Sequence, residues 1–299
     1  MADYKLLTYQ AAQGPRAGIL VDGDIFDVDG YTRVVDILDD WQTAQPRLEK
    51  AAAAKPKGGT PLASARLLAP VLYPSAIYCA GANYSDHVAE MDRAQNRTPD
   101  PNPHDIGLKP WHFLKAARVV VGPNFAVPLP AGAKKVDWEV ELTAVIGRKA
   151  KGVSIERALD YVAGYAIADD VSARDLGQRP PLTKDSPFFW DWVAHKSFDA
   201  SCPLGPWITP AKQIADPQKL GIKLWVNDVI KQDSHTSKMI FTLAEQIAQI
   251  SSRTTLYPGD LILTGTPAGV GAGRNEFLKA GDVVKLWCEG VGEFSHTMA

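Results

Sequence analysis

The segment that most constrains the fold is residues 136–147, which reads VDWEVELTAVIG. Its β-branched, aromatic and apolar residues are typical of an interior strand. It nevertheless contains Glu139 and Glu141, which share one face of a strand because alternate side chains point the same way. Two adjacent buried carboxylates are costly unless positive charge lies between them. The pair alone fits either a hard divalent cation or an edge or pore-facing strand whose glutamates meet water or arginine.

A second segment, residues 161–175, repeats this pattern. It reads YVAGYAIADDVSARD, an apolar strand that ends in Asp169 and Asp170. A short helical segment, residues 154–159, precedes it, so the two strands are expected to lie close together. A third carboxylate beside the paired glutamates would give three oxygen ligands with other coordination positions open. That arrangement is typical of a catalytic metal site.

Five motifs resemble those of the fumarylacetoacetate hydrolase family, and they occur in the family's order from residue 77 to the C-terminus. They are NYSDHVAEM, DWEVELTAVIG, GYAIADDVSARD, KSFDASCPLGPW and GDLILTGTPAGVG. The resemblance implies an α+β fold with a mixed β-roll or β-sandwich core, peripheral helices and a homodimer. It also implies that Glu139, Glu141 and Asp170 bind Mg²⁺ or Mn²⁺, with Ca²⁺ as the other candidate.

Charge and hydropathy exclude two classes of partner. The net charge is −2 and there is no basic run, so nucleic acid is not expected. No apolar run approaches the ~18 residues that span a bilayer, and the N-terminus lacks a signal-peptide pattern, so we expect a cytoplasmic protein. The three cysteines lie in apolar sequence and are expected to be reduced and buried.

The chain is predicted to divide at about residue 70. Residues 1–70 predict a small α/β accessory domain with strands over 4–9, 17–21 and 24–28 and a turn at Asp22 and Gly23. Residues 71–299 are predicted to form the catalytic domain. This part includes a hairpin that turns at Asn227 and Asp228 and an amphipathic helix over residues 243–250.

His87 and Glu90 are three residues apart on a predicted helix and therefore share a face. A carboxylate beside an imidazole fixes its tautomer and raises its basicity, as a general base for water requires. A surface contact is the ordinary alternative, and the resemblance implies a water-activating pair.

Residues 92–110 are polar and rich in proline, which favours a loop that could close over substrate or a surface excursion.

Two departures from the family's pattern lie beside the expected site. The resemblance implies that Arg174 and a glutamine three residues later polarise the substrate's carbonyl. Gly177 stands at that position here, so Gln178, one residue further on, is the candidate. Lys196 matches a lysine that would stabilise a developing enolate. His195 replaces the small residue before it, and it could tune the site or, as we expect, only fill space.

Residues 257–271 predict a strand that runs into a glycine-rich loop. Such a loop exposes backbone N–H groups that form a nest for an anion. It lacks the lysine and spacing of a nucleotide-binding P-loop. We therefore expect it to bind a substrate carboxylate, with Gly265 and Thr266 as contacts.

The sequence leaves three hypotheses for function. The first is a metal-dependent hydrolase that cleaves the carbon–carbon bond of a 2,4-dioxo acid, such as an acylpyruvate, into a carboxylic acid and pyruvate. The second is an oxaloacetate-type decarboxylase, or an isomerase or hydratase of an oxo-dioate, that uses the same enolate. The third is a non-catalytic binding protein.

The aromatic residues between 180 and 192 could line the acyl end of a pocket or contact a neighbouring subunit.

Overall fold

The computed structural model describes residues 3–299, which form an α+β fold of many strands and few helices, as predicted. The strands form an eleven-stranded sheet, a five-stranded sheet and a two-stranded sheet. Both parallel and antiparallel pairs occur, so the architecture is mixed. No helix among these residues has the length and apolar character needed to cross a membrane.

Residues 3–70 form a strand meander with two helices. Its elements are β1 (Lys5–Ala11), β2 (Gly14–Val21), β3 (Asp24–Asp27), α1 (Val34–Asp39), α2 (Trp41–Ala53) and β4 (Thr60–Pro61). Asp22 and Gly23 have φ values of 49° and 92°, which confirms the predicted hairpin turn. Strand β1 also pairs with a later strand, with Leu6 opposite Ile208. The meander is therefore part of the large sheet, and its independence as a domain stays a prediction.

The middle of the chain supplies the centre of the large sheet. Its elements are β5 (Ile77–Ala80), α3 (Ser85–Ala94), β6 (His112–Lys115), β7 (Val120–Val121), β8 (Ala126–Val127), β9 (Val136–Asp137), β10 (Val140–Ile146), β11 (Val162–Asp169) and β12 (Ser172–Ala173). Every residue of β10 and β11 is buried. Between α3 and β6 the chain has neither helix nor strand, as its proline-rich sequence predicts.

The predicted strand over residues 136–147 is divided into β9 and β10. Carboxylates take the backbone N–H groups at the break: Asp137 accepts from Trp138 (2.9 Å) and Asp169 accepts from Glu139 (2.7 Å). These N–H groups are therefore not available to a neighbouring strand. The break comprises Trp138 and Glu139, the first of the paired glutamates.

The C-terminal part adds a smaller sheet and the remaining helices. Its elements are α4 (Trp192–Lys196), β13 (Cys202–Pro210), β14 (Gly221–Val226), β15 (Val229–His235), α5 (Leu243–Arg253), β16 (Leu261–Leu263), α6 (Gly271–Arg274), β17 (Val283–Cys288) and β18 (Gly292–Met298). Asn227 and Asp228 have φ values of 49° and 62° between paired strands β14 and β15, which confirms the predicted hairpin. A capping box formed by Thr242 and Glu245 begins α5.

The large sheet has the order β4-β3-β2-β1-β13-β11-β10-β16-β5-β6. Strands β10 and β11 are antiparallel, with Val140 opposite Asp169. The start of β10 therefore faces the end of β11. This register brings Glu139 and Asp170 together in space although they are far apart in sequence.

Candidate active site

The structure brings the three predicted metal ligands together. One carboxylate oxygen from each of Glu139, Glu141 and Asp170 lies within 4.8 Å of the others, and all three residues are buried. Oxygens on opposite sides of one hard divalent ion lie roughly 4–5 Å apart, because each bond is about 2.1–2.6 Å long. The donor type and the spacing therefore fit a divalent cation.

Three cationic side chains contact two of these carboxylates. The Lys196 ammonium donates to Glu139 Oε2 (3.0 Å) and Asp170 Oδ2 (2.6 Å). Lys115 donates to Asp170 Oδ1 (2.7 Å), and Arg174 donates to Glu139 Oε1 (2.5 Å). The arginine alternative considered from the sequence is thus correct in part. Lys115, on β6, was not identified there, since no local pattern marks it.

Glu141 is the member of the cluster whose charge remains unbalanced. Its Oε2 accepts from the Gly265 N–H (2.7 Å), and no cationic side chain of residues 3–299 forms a salt bridge with it. Together with Asp137, which pairs with Arg174, the cluster contains four buried carboxylates and three cations. A divalent cation at Glu141 would supply the missing positive charge.

The pKa values of the two glutamates are shifted in opposite directions. Burial and the negative charges of Asp170 and Glu139 raise the pKa of Glu141 well above its ordinary value. Burial also opposes ionisation of Glu139, but the charges of Lys196 and Arg174 outweigh it and lower the pKa of that carboxyl. The cluster thus holds an ionised glutamate beside one that is destabilised as an anion.

The two residues proposed to activate water, His87 and Glu90, lie on α3. His87 Nδ1 is 3.8 Å from Glu90 Oε2, which is an ion-pair distance and longer than a hydrogen bond. This Nδ1 is buried and has no hydrogen-bond partner among residues 3–299. Glu90 is fixed from its other side, because it accepts from the Gly269 N–H at 2.9 Å and 3.1 Å.

The glycine-rich loop after β16 binds carboxylates of this chain. The loop holds Glu141 and Glu90, and the first turn of α6, which follows it, holds Asp137. Asp137 accepts from the N–H groups of Gly271 (2.6 Å) and Ala272 (3.0 Å). The N–H groups of Gly265 and Gly269 are likewise used within the protein. The loop's N–H groups thus bind carboxylates of the protein in this structure, and the contact of Gly265 with a substrate carboxylate stays a prediction.

The Thr266 side chain also forms hydrogen bonds within the protein. Its hydroxyl donates to the Val140 carbonyl (2.9 Å) and accepts from Gln232 Nε2 (2.9 Å). The residue is buried, and these two bonds tie the loop to the start of β10. Thr266 therefore positions the loop in this structure, and its contact with substrate stays a prediction.

Gln178 lies outside the carboxylate cluster. It is exposed and forms an isolated β-bridge with Trp190. Gly177, by contrast, is buried against the imidazole of His195. The chain thus turns Gln178 to the surface, and the substrate contact assigned to it from the sequence has no support in the geometry.

Four aromatic rings form a wall beside Lys196. The Phe113 ring centroid is 5.1 Å from the Lys196 ammonium and 5.4 Å from the Trp192 ring, with which it stacks. Trp192 also contacts Trp111 (6.2 Å) and Trp190 (6.0 Å). The three tryptophans are between 41% and 49% exposed, so the wall faces open space. Trp111 also lines a cavity of about 1050 Å³ between α3 and the loop after it.

A buried three-carboxylate centre with lysines and an imidazole nearby, set in a mixed sheet, is the arrangement of an enzyme that uses a divalent metal. The sequence model described as "Fumarylacetoacetate (FAA) hydrolase C-terminal" matches residues 76–299. The chain belongs to the fumarylacetoacetate hydrolase family.

Relatives within this family have different activities. The rat "Oxaloacetate tautomerase Fahd2a, mitochondrial" is 39% identical over 277 residues, which cover 92% of this chain and 82% of that protein. The crystal structure of maleylpyruvate hydrolase from Sphingobium sp. SYK-6 is 30% identical, covers 99% of both chains and superposes with a TM-score of 0.77. A structure of that enzyme with manganese(II) and pyruvate is 28% identical, covers 99% of this chain and 98% of that one, and has a TM-score of 0.73.

Proposed function

We propose that this protein is a metal-dependent hydrolase that cleaves the carbon–carbon bond of a 2,4-dioxo acid, such as an acylpyruvate, to a carboxylic acid and pyruvate. Glu139, Glu141 and Asp170 would hold Mg²⁺ or Mn²⁺, with Ca²⁺ as the other candidate. The cation would supply a positive centre that stabilises negative charge on the 2-oxo oxygen. The relative that contains manganese and pyruvate supports this assignment.

The observation that carries the catalytic assignment is the partly buried imidazole of His87, whose Nδ1 lies 3.8 Å from Glu90 Oε2. His87 would take a proton from water, and the water oxygen would bond to C4 of the substrate. The C3–C4 bond then breaks, its electron pair remains with the pyruvate enolate, and a proton is added at C3. Lys196 and Arg174 would stabilise the negative charge that accumulates.

The aromatic wall favours a substrate whose acyl group is larger than the terminal carboxylate of oxaloacetate. Phe113 lies against Lys196, and the three tryptophans continue away from it. Aromatic rings contribute apolar contact area that a small, doubly charged diacid cannot use well. A planar or apolar acyl chain would stack there, and the loop of residues 92–110 would close over it.

Tautomerisation of an oxaloacetate-type diacid is the second candidate. It is favoured by the 39% identity to the rat oxaloacetate tautomerase. The same His87 would move a proton from C3 toward the 2-oxo oxygen, and no water would attack. Decarboxylation would require the same stabilised enolate.

A substrate panel separates these reactions. Acetylpyruvate, fumarylpyruvate and oxaloacetate are incubated with the enzyme and Mg²⁺ or Mn²⁺, and pyruvate, the acid product, CO₂ and the enol form are measured. Equal amounts of acid and pyruvate support hydrolysis, whereas enol–keto exchange or CO₂ alone contradicts it. His87→Ala should stop hydrolysis. Absence of Mg²⁺ and Mn²⁺ binding in a titration would favour the non-catalytic hypothesis.

The expected homodimer and cytoplasmic location stay predictions. Light scattering after size-exclusion chromatography tests the first. Fractionation of cells tests the second, and it matters here because the rat relative is named as mitochondrial.

A further inference from the structure

His195 occupies the space that a side chain at position 177 would fill. A Cβ atom on Gly177 would lie 2.8 Å from His195 Cγ and 2.9 Å from Nδ1, which is closer than real Cβ contacts. An imidazole at position 195 and any side chain at position 177 therefore exclude each other. The two departures from the family's pattern are one coupled feature: the larger group has moved from position 177 to position 195.

The imidazole is held firmly at the edge of the carboxylate cluster. Its ring stacks on Trp192 with a centroid distance of 5.7 Å and an interplanar angle of 28°. The backbone N–H of His195 donates to the Asp191 carbonyl (3.0 Å) at the start of α4. The next residue is Lys196, whose ammonium contacts the cluster directly. Packing thus fixes both the position and the plane of the ring.

One nitrogen of this ring has no partner within the protein. Nε2 of His195 is buried and forms no hydrogen bond with any of residues 3–299. A buried polar atom without a partner destabilises the fold, so a residue that only filled space would be better apolar. Burial and the charges of Lys196 and Arg174 lower the pKa of His195 to about 2. The ring is therefore neutral and has one N–H to donate.

We propose that His195 donates a hydrogen bond to a carbonyl oxygen of the bound substrate, in place of the side chain that Gly177 lacks. The inference rests on the proposed function, because it takes the substrate to be a 2-oxo acid held at the three carboxylates. A neutral donor would stabilise charge that develops on this oxygen without adding a fourth cation to the cluster.

Two substitutions separate hydrogen bonding from packing. His195→Phe keeps a ring that can stack on Trp192 but removes the donor, and His195→Gln keeps an N–H near the Nε2 position. We expect kcat of His195→Phe to fall roughly 100-fold with a smaller change in KM, as for loss of one oxyanion donor. His195→Gln should stay within about tenfold of wild type. The thermal midpoint and the Mg²⁺ affinity of His195→Phe should equal or exceed those of wild type.

A paired substitution tests the shared space. His195→Ala alone should lose activity as His195→Phe does, and Gly177→Gln combined with His195→Ala returns a donor from the other side. We expect the double variant to be at least about tenfold more active than His195→Ala. Equal activity of these two variants would contradict a common substrate contact.

The outcomes distinguish this inference from the proposed function. Wild-type turnover of a dioxo acid together with unchanged kcat in His195→Phe would overturn the role of His195 and leave the function intact. A parallel loss of Mg²⁺ affinity or of thermal stability in His195→Phe would show that the residue is structural. No turnover of dioxo acids or oxaloacetate by wild type would overturn both proposals.

Discussion

Glu141 is deeply buried and has no cationic partner in the described structure. This combination is the reason to expect that the site binds a cation. Glu139 and Asp170 each contact at least one lysine, whereas Glu141 receives only the Gly265 N–H in the hydrogen-bond network. An anion held this way is costly unless it gains positive charge. Cation binding and the stability of the apo protein should therefore be linked through this residue.

Replacing Glu141 with glutamine should separate these two effects. Glu141→Gln removes a carboxylate ligand, so Mg²⁺ affinity should fall at least roughly 100-fold and turnover should stop. The apo variant should be at least as stable as wild type, because the amide cannot ionise in this buried site and the Gly265 N–H keeps an acceptor. Isothermal titration and thermal unfolding measure both. Exposed Glu156→Gln serves as the control, and wild-type Mg²⁺ affinity in Glu141→Gln would rule out this ligand.

Lys115 offers a second test of the charge balance. Lys115→Met leaves Asp170 with Lys196 alone, and loss of one partner of a buried ion pair should destabilise the apo protein by about 3 kcal/mol. Added Mg²⁺ would replace the missing charge, so its stabilising effect on Tm should be larger in the variant than in wild type. Exposed Lys279→Met should match wild type in both respects. An equal Mg²⁺ effect in all three proteins would argue against a shared charge cluster.

Residue-level prediction succeeded where the chemistry was local. The two-residue spacing of Glu139 and Glu141 placed both carboxylates on one face, and the structure brings Asp170 to them. Lys115 escaped detection because its partner is 55 residues away in sequence. Gln178 was assigned from its nearness to position 177, but it follows a turn and bridges to Trp190, which leaves it exposed.

At the level of elements, the loop after β16 fixes two carboxylates of the site through backbone hydrogen bonds. Its N–H groups hold a metal-ligand candidate, Glu141, and the base's partner, Glu90. The sequence predicted an anion nest from the glycines. It could not tell that the anions belong to the protein, because these partners lie 124 and 179 residues away. Gly269 cannot carry a side chain, since its φ is 105° and a Cβ would lie 2.1 Å from the Lys231 carbonyl oxygen.

The turn that leads into β16 should make stability depend on pH. Asp260 is buried, its Oδ2 accepts from the Tyr257 N–H (2.8 Å), and burial raises its pKa from 3.8 to about 6. The folded state therefore keeps a proton that the unfolded state releases. The stabilisation that Asp260 provides is complete below pH 3.8 and is lost as the pH rises through 6.

Asp260→Asn should remove this dependence, because the amide oxygen still accepts from Tyr257 without ionising. The stability of the variant minus that of wild type should grow from pH 4 to pH 6.5 and then remain constant. Urea unfolding at several pH values measures the difference. Exposed Asp228→Asn is the matched control, and a difference that did not change with pH would mean that Asp260 is already ionised in the fold at pH 4.

At the scale of the whole molecule, one sheet connects the N-terminal meander to the site. Strand β1 pairs with β13, which pairs with β11, the strand that ends at the carboxylate cluster. Trp41 of α2 lies against Gly147 at the end of β10, where a Cβ would come within 3.0 Å of its ring. The sequence predicted a division between an accessory domain and a catalytic domain near residue 70. It could not show this pairing, because strand partners distant in sequence leave no local pattern.

This continuity predicts that the catalytic part does not fold without the first 70 residues. A chain that begins at residue 71 would leave the edge of β13 near Ile208 unpaired. It would also expose an apolar surface that buried residues such as Leu38 and Trp41 cover. We expect aggregation or a non-cooperative thermal transition in circular dichroism. Residues 1–70 co-expressed as a separate chain should restore soluble enzyme. A monodisperse, active protein that begins at residue 71 would instead establish residues 1–70 as an independent accessory domain.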